Sequence, residues 1–106
     1  MNQDICQLVS EIQVEGSCLK DTLLTDNVTL WFHFKDEDRY TSWKHKSIRI
    51  IRRYFPDDYG ITELENAFKK FEREYRTPEL FSQIIGLIES YLWRSEEHTS
   101  ELQSLL

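Results

Sequence analysis

The chain has 106 residues, 40% of them hydrophobic and 13% aromatic. That suits one small domain and is too apolar for intrinsic disorder. A formal net charge of −6 excludes a protein whose whole surface coats nucleic acid. No apolar run approaches the roughly 18 residues of a membrane span, and no charged-then-apolar leader opens the chain, so a cytoplasmic protein is expected.

The first element is an amphipathic helix. Ile5, Leu8, Val9 and Ile12 have helical spacing, and Leu19 and Leu23 continue their stripe. A helix over 4–24 follows, with Asp4 as its N-cap. Gly16 lies on the stripe, where a missing Cβ lets a backbone or an aromatic ring come close and the helix can kink. Cys6 and Cys18, the only two cysteines, would stand about 18 Å apart on this helix, beyond the roughly 7 Å limit for a bridge. Free, buried thiols in a reducing compartment are expected.

Asp26-Asn27 breaks the pattern. Val28, Leu30, Phe32 and Phe34 then alternate with Thr29, Trp31 and His33, as in a strand. No other segment offers an evident partner strand, and an unpaired strand leaves its backbone groups unsatisfied. The preferred expectation for 28–34 is therefore an aromatic loop or short helix closing one end of the fold, with Trp31, Phe32 and Phe34 in the core.

The stretch from Arg39 to Phe55, RYTSWKHKSIRIIRRYF, divides cleanly on a helical wheel. Tyr40, Trp43, Ile48, Ile50, Ile51, Tyr54 and Phe55 occupy an arc of roughly 160°, wide enough to touch two neighbours. Arg39, His45, Lys46, Arg49, Arg52 and Arg53 fill the other side. Asp36, Glu37 and Asp38 precede it, so acidic residues open the helix and basic ones close it, as its dipole favours. Lys44 projects into the apolar arc. It is expected to snorkel to solvent, with pairing to a carboxylate as the alternative.

Pro56 to Gly60 reads as a turn. Thr62 and Glu65 have capping-box spacing before a stripe of Leu64, Ala67, Phe68, Phe71 and Tyr75. Glu65 with Lys69, and Glu72 with Arg76, form favourable i, i+4 pairs on that helix. Thr77 and Pro78 suit the N-cap and first turn of a last helix striped by Phe81, Ile84, Ile85, Ile88 and Leu92. The whole predicts an all-α fold, a small four-helix bundle over about 4–24, 37–55, 62–76 and 78–93, with the aromatic element at 28–34.

Chemistry-bearing constellations are sparse. The glycines at 16, 60 and 86 are too scattered for a phosphate loop, and no nucleophile carries a triad signature. His33, Asp36 and Asp38 have metal-ligand side chains but no second His or Cys cluster to complete a site. No catalytic residue, metal or cofactor is expected. The basic face is the best candidate site. Arg39, Lys46, Arg49, Arg52 and Arg53 suit a solvated helix face or a docking surface for an acidic neighbour or, as the alternative, phosphates with Tyr40 or Tyr54 stacking at the edge. The acidic surroundings favour the protein partner.

Three resemblances complete the reading. Arg39-x5-His45 resembles the R-x4–6-H signature of HEPN-type ribonucleases, which implies His45 as acid/base and Arg39 as phosphate contact. On one helix, however, the two stand about 120° apart, and Tyr40 takes a place the family usually fills with a polar residue. Residues 94–104, RSEEHTSELQS, match the translation of a common short-read sequencing adapter at all 11 positions. The resemblance implies a native domain over 1–93, a non-native tail over 94–106 and a lost continuation. A natural acidic tail is the alternative. Residues 1–93 carry 12 Lys+Arg and 16 Asp+Glu, a net charge of −4. Tyr91, Leu92 and Trp93 would then be an exposed interface for the protein's own missing C-terminal domain.

Finally, the order EGSCLK, YTSWKHKSIRIIRRYFP and IIGLIESYL resembles N-terminal helical regions of prokaryotic defence proteins. Those regions precede nucleotide-binding or Toll/interleukin-receptor-like effector domains. The resemblance implies a non-catalytic interaction or regulatory module.

Overall fold

Helix α1 spans Ile5–Lys20 and buries Val9, Ile12, Gly16 and Leu19. These residues follow the 3–4 spacing of one face. The computed structural model describes residues 5–25, 28, 31–56 and 60–104, with side chains among these up to Trp93. Asp4, the expected cap, lies outside them, as do Asp26, Asn27, Thr29 and Leu30. The helix runs on through Gly16 without a break. It ends at Lys20 rather than near 24, because Thr22 turns the chain: its backbone N–H and its hydroxyl both donate to the Leu19 carbonyl, at 2.9 and 2.7 Å.

Leu23 therefore enters a strand, not a last helical turn. Strand β1, Leu23–Thr25, pairs antiparallel with β2, Phe32–Phe34, in the register Leu23↔Phe34, Leu24↔His33 and Thr25↔Phe32. This corrects the expectation of a loop or helix through residue 34. The alternation at 32–34 is a true strand signal, and its partner lies at the end of what reads as the first helical stripe. A two-stranded hairpin is marginal by itself. Here Phe34 anchors it in the core at 2% exposure, and the Phe32 N–H donates to the Tyr75 carbonyl at 3.1 Å. Of the three aromatics expected in the core only Phe34 is buried, and Trp31 is 37% exposed.

Helix α2, Glu37–Tyr54, is capped by the Asp36 side chain, which accepts from the Arg39 N–H at 3.1 Å. It buries Tyr40, Trp43, Ser47 and Ile51. Trp43 crosses α1 where Gly16 leaves room: a Cβ at Gly16 would lie 2.6 Å from the Trp43 Cζ2 atom. The Trp43 Nε1–H donates to the Ile12 carbonyl at 2.8 Å, so the polar end of the indole is satisfied inside the core. The glycine on the stripe thus admits an aromatic ring.

Helix α3 spans Gly60–Arg73 and α4 spans Pro78–Ser104. Because α3 already starts at Gly60, Thr62 is inside the helix and the expected capping box does not form. Residues 57–59 of the preceding turn lie outside the described residues. At its other end α3 stops at Arg73, so Tyr75 leaves the buried stripe and is 57% exposed. The start of α4 is as expected, with the Thr77 hydroxyl accepting from the Leu80 N–H at 3.3 Å. Its backbone stays helical beyond Trp93 to Ser104.

The result is an all-α bundle with one short hairpin. Helix α1 packs on α4 and α2, and α3 packs on α4 and α2. Phe34, Tyr40, Trp43, Phe68, Phe71 and Phe81 form a continuous aromatic layer, in which Phe34 stacks on Tyr40 with ring centres 4.6 Å apart. Cys6 is half-buried and Cys18 exposed, which corrects the expectation of two buried thiols. No helix among the described residues is long and apolar enough to cross a membrane.

Candidate functional site

The basic residues of α2 do not act as one surface. Lys46 leans toward α1 and pairs with Glu15 at 2.6 Å. Arg39 faces the same helix, lining a hollow with Gln7, Ser10, Glu11, Val14 and Glu15. Further along, His45, Ile48, Arg49, Arg52 and Arg53 line an open depression of about 430 Å³. Helical spacing accounts for the grouping: 45, 49, 52 and 53 recur at i, i+4, i+7 and i+8.

Within that depression the charges differ. Arg52 pairs with Glu65 of α3. Arg53 lies over the Tyr54 ring, 5.7 Å from its centre. Arg49 and Arg53 are both exposed, and among the described residues neither meets a carboxylate. Ile48, half-buried, supplies an apolar floor between them.

The other sequence candidates separate. Arg39 and His45, the ribonuclease-like pair, line different depressions. His33, Asp36 and Asp38 do not assemble with others into a metal-holding group among the described residues. Tyr91 is no exposed interface: it is 1% exposed, with its ring 5.0 Å from that of Phe55. Burial, and secondarily the Glu63 charge, raises its pKa above the ordinary phenol value. Leu92 is half-buried, which leaves Trp93, 63% exposed, as the apolar surface of the three.

A second constellation lies on the inner side of α2. Lys44 does not snorkel: its Nζ reaches Glu72 of α3 at 2.8 and 3.1 Å, and its side chain is 22% exposed. It also sits 5.8 Å from the centre of the Phe68 ring. The Tyr40 hydroxyl donates to the same carboxylate at 2.9 Å. Burial first, then the charge and hydrogen bond of Glu72, hold the Tyr40 phenol neutral far above its usual range, opposed only by Arg76.

Arg76 closes this group. Its guanidinium lies 5.1, 5.4 and 5.6 Å from the ring centres of Tyr40, Phe34 and Phe71, and it pairs with Glu37. Tyr75 and Arg76 both adopt left-handed backbone, with φ of 59° and 52°. Neither is a glycine, so each such residue costs on the order of 1–2 kcal/mol, offset here by the packing of Arg76. The expected i, i+4 pairs give way to these longer-range contacts: Glu72 takes Lys44 and Tyr40, Arg76 takes Glu37, and Glu65 takes Arg52. The available signal was Lys44 itself, a cation placed in an apolar arc.

Comparison with protein-family models, curated proteins and solved structures finds no match to this chain.

Proposed function

We propose that this protein is a non-catalytic interaction module whose docking surface is the His45–Ile48–Arg49–Arg52–Arg53 depression of α2, and that its occupant is an acidic segment of a protein partner. The supporting observation is the pair Arg49 and Arg53, exposed without a carboxylate among the described residues in a protein of net charge −6. Charge complementarity selects an acidic partner, and the half-buried Ile48 selects one with an apolar residue among its carboxylates. The resemblance of residues 1–93 to N-terminal regions of prokaryotic defence proteins supports a regulatory setting for such docking.

The test uses a synthetic peptide of alternating glutamate and leucine and an RNA oligomer of equal charge. Saturable peptide binding that weakens with salt and is lost in the double variant Arg49→Glu, Arg53→Glu is the expected result. The second reading, a nucleic-acid surface, rests on the same two arginines. Micromolar RNA binding at physiological salt would replace the first reading with it, provided the log–log salt slope is about 0.7 per neutralised phosphate and the peptide stays unbound.

A further inference from the structure

The inner constellation borders a cleft of about 440 Å³, within the range of small-ligand sites, lined by Trp31, Tyr40, Thr41, Lys44, Glu72 and Arg76. Its hydrogen-bond inventory is lopsided. The Glu72 carboxylate already accepts from the Tyr40 hydroxyl and from Lys44 at both oxygens. The Thr41 hydroxyl proton is committed to the Glu37 carbonyl at 3.1 Å. An ammonium carries three donors and a guanidinium five, so Lys44 and Arg76 retain donors after engaging Glu72 and Glu37. What the cleft can add is an acceptor.

We propose that this cleft binds a small aromatic carboxylate. Lys44 and Arg76 are each balanced by one carboxylate, Glu72 and Glu37. The site therefore has spare donors but no net positive charge, which suits a single carboxylate better than a phosphate dianion. Trp31 supplies a flat wall at the edge, 37% exposed and tilted 56° to Tyr75 at 5.4 Å. The left-handed turn at Tyr75 and Arg76 holds the guanidinium over three rings in the free protein. The guanidinium is thus fixed in the cleft lining before a ligand arrives, which lowers the ordering cost of binding.

The indole N–H resonances of the full chain test this. Phenylacetate is expected to shift the Trp31 signal saturably and leave Trp43, whose N–H is bonded to the Ile12 carbonyl, unmoved. Phenylacetamide, which lacks the charge, and cyclohexylacetate, which lacks the ring, should bind at least about ten-fold more weakly. The variant Lys44→Met should lose about ten-fold in phenylacetate affinity. N-acetylphenylalanine added as a second arm separates the sources: preference for it over phenylacetate indicates a peptide C-terminus, the reverse a free metabolite. A shift that does not saturate, or one that the amide reproduces at equal concentration, overturns the proposal. If Lys44→Met fails to fold, the acid and amide comparison on the unaltered chain still decides.

Discussion

Helix α2 carries cations on both sides, and the two sides treat them differently. On the inner side Lys44 meets Glu72 and faces Phe68, while Arg76 reaches in from the α3–α4 turn to lie over three aromatic rings and pair with Glu37. On the outer side Arg49 and Arg53 meet water. The chemistry of the side chains is similar and only the neighbours differ. A cation beside packed rings is partly stripped of water, so losing its carboxylate partner is costly, whereas a solvated arginine costs almost nothing to leave alone. Inner cations are therefore part of the fold even where they keep a donor for a ligand, whereas Arg49 and Arg53 on the outer side are not held by the fold.

The sharpest way to break the inner side is through the ring that supports it. Trp43→Ala should cost about 3–5 kcal/mol, the range for emptying a buried aromatic site, and on a domain of this size that should lower the thermal midpoint by tens of degrees or abolish folding. Next comes Gly16→Ala. The added Cβ would stand 2.6 Å from a fully packed indole, so the ring or the helix pair must shift, at a cost of about 1–3 kcal/mol in place of the usual gain in helix propensity. Stabilisation by Gly16→Ala in thermal melts would show that Trp43 is free to move.

Those two positions also show what periodicity can and cannot reveal. Gly16 on an apolar stripe and Trp43 in the middle of an apolar arc point to close packing, since spacing reports which residues share a face. The helix pattern, the Thr77 cap and the burial of Phe81, Ile84 and Ile88 in α4 follow from local rules of the same kind, whereas the burial of Tyr91 does not. Leu23 illustrates the limit. It fits the helical period, yet Thr22 turns the chain and Leu23 pairs with Phe34, a choice made by contacts eleven residues away. The same limit hides the Lys44–Glu72 and Arg76–Glu37 pairs. The sequence neighbours of Glu72 and Arg76 suggest a bond between the two, but the helix ends between them. Of the candidate site, the cluster at 45, 49, 52 and 53 is readable from spacing. That Lys46 and Arg39 turn toward α1 depends on which neighbour lies beside them.

Removing the inner carboxylate is the next smaller change. Glu72→Gln keeps the shape but takes the charge away from Lys44 and the strong acceptor from Tyr40, and should cost about 1–2 kcal/mol in chemical denaturation. Alkaline pH probes the same group without mutation. In the unfolded chain the Tyr40 phenol ionises near its ordinary pKa of 10.0, while in the fold it stays protonated to much higher pH. Above about pH 10 the unfolded chain has released a proton that the folded one keeps, so this contribution is complete below pH 10 and declines at about 1.4 kcal/mol per unit above it. Tyr91, raised for the same reason of burial, acts in the same direction. Tyr40→Phe should make the alkaline decline shallower. An unchanged decline would place its origin elsewhere.

The smallest effect on stability is expected on the outer side, and it is the one that separates docking from folding. Arg49→Ala and Arg53→Ala remove no ion pair among the described residues, and substitutions of this kind usually stay within about 0.5 kcal/mol. Arg52→Ala, which loses Glu65 as well, should cost slightly more, up to about 1 kcal/mol, because an exposed ion pair is worth little. If the outer strip binds an acidic segment, the order inverts in a binding assay. Arg49→Ala and Arg53→Ala should then weaken the glutamate–leucine peptide more than Arg52→Ala does, since a guanidinium already engaged by Glu65 has less to offer a partner. Equal losses from all three would mean that the strip attracts by general charge alone. A stability loss above 2 kcal/mol for Arg49→Ala or Arg53→Ala would show that the outer side belongs to the fold as much as the inner one does.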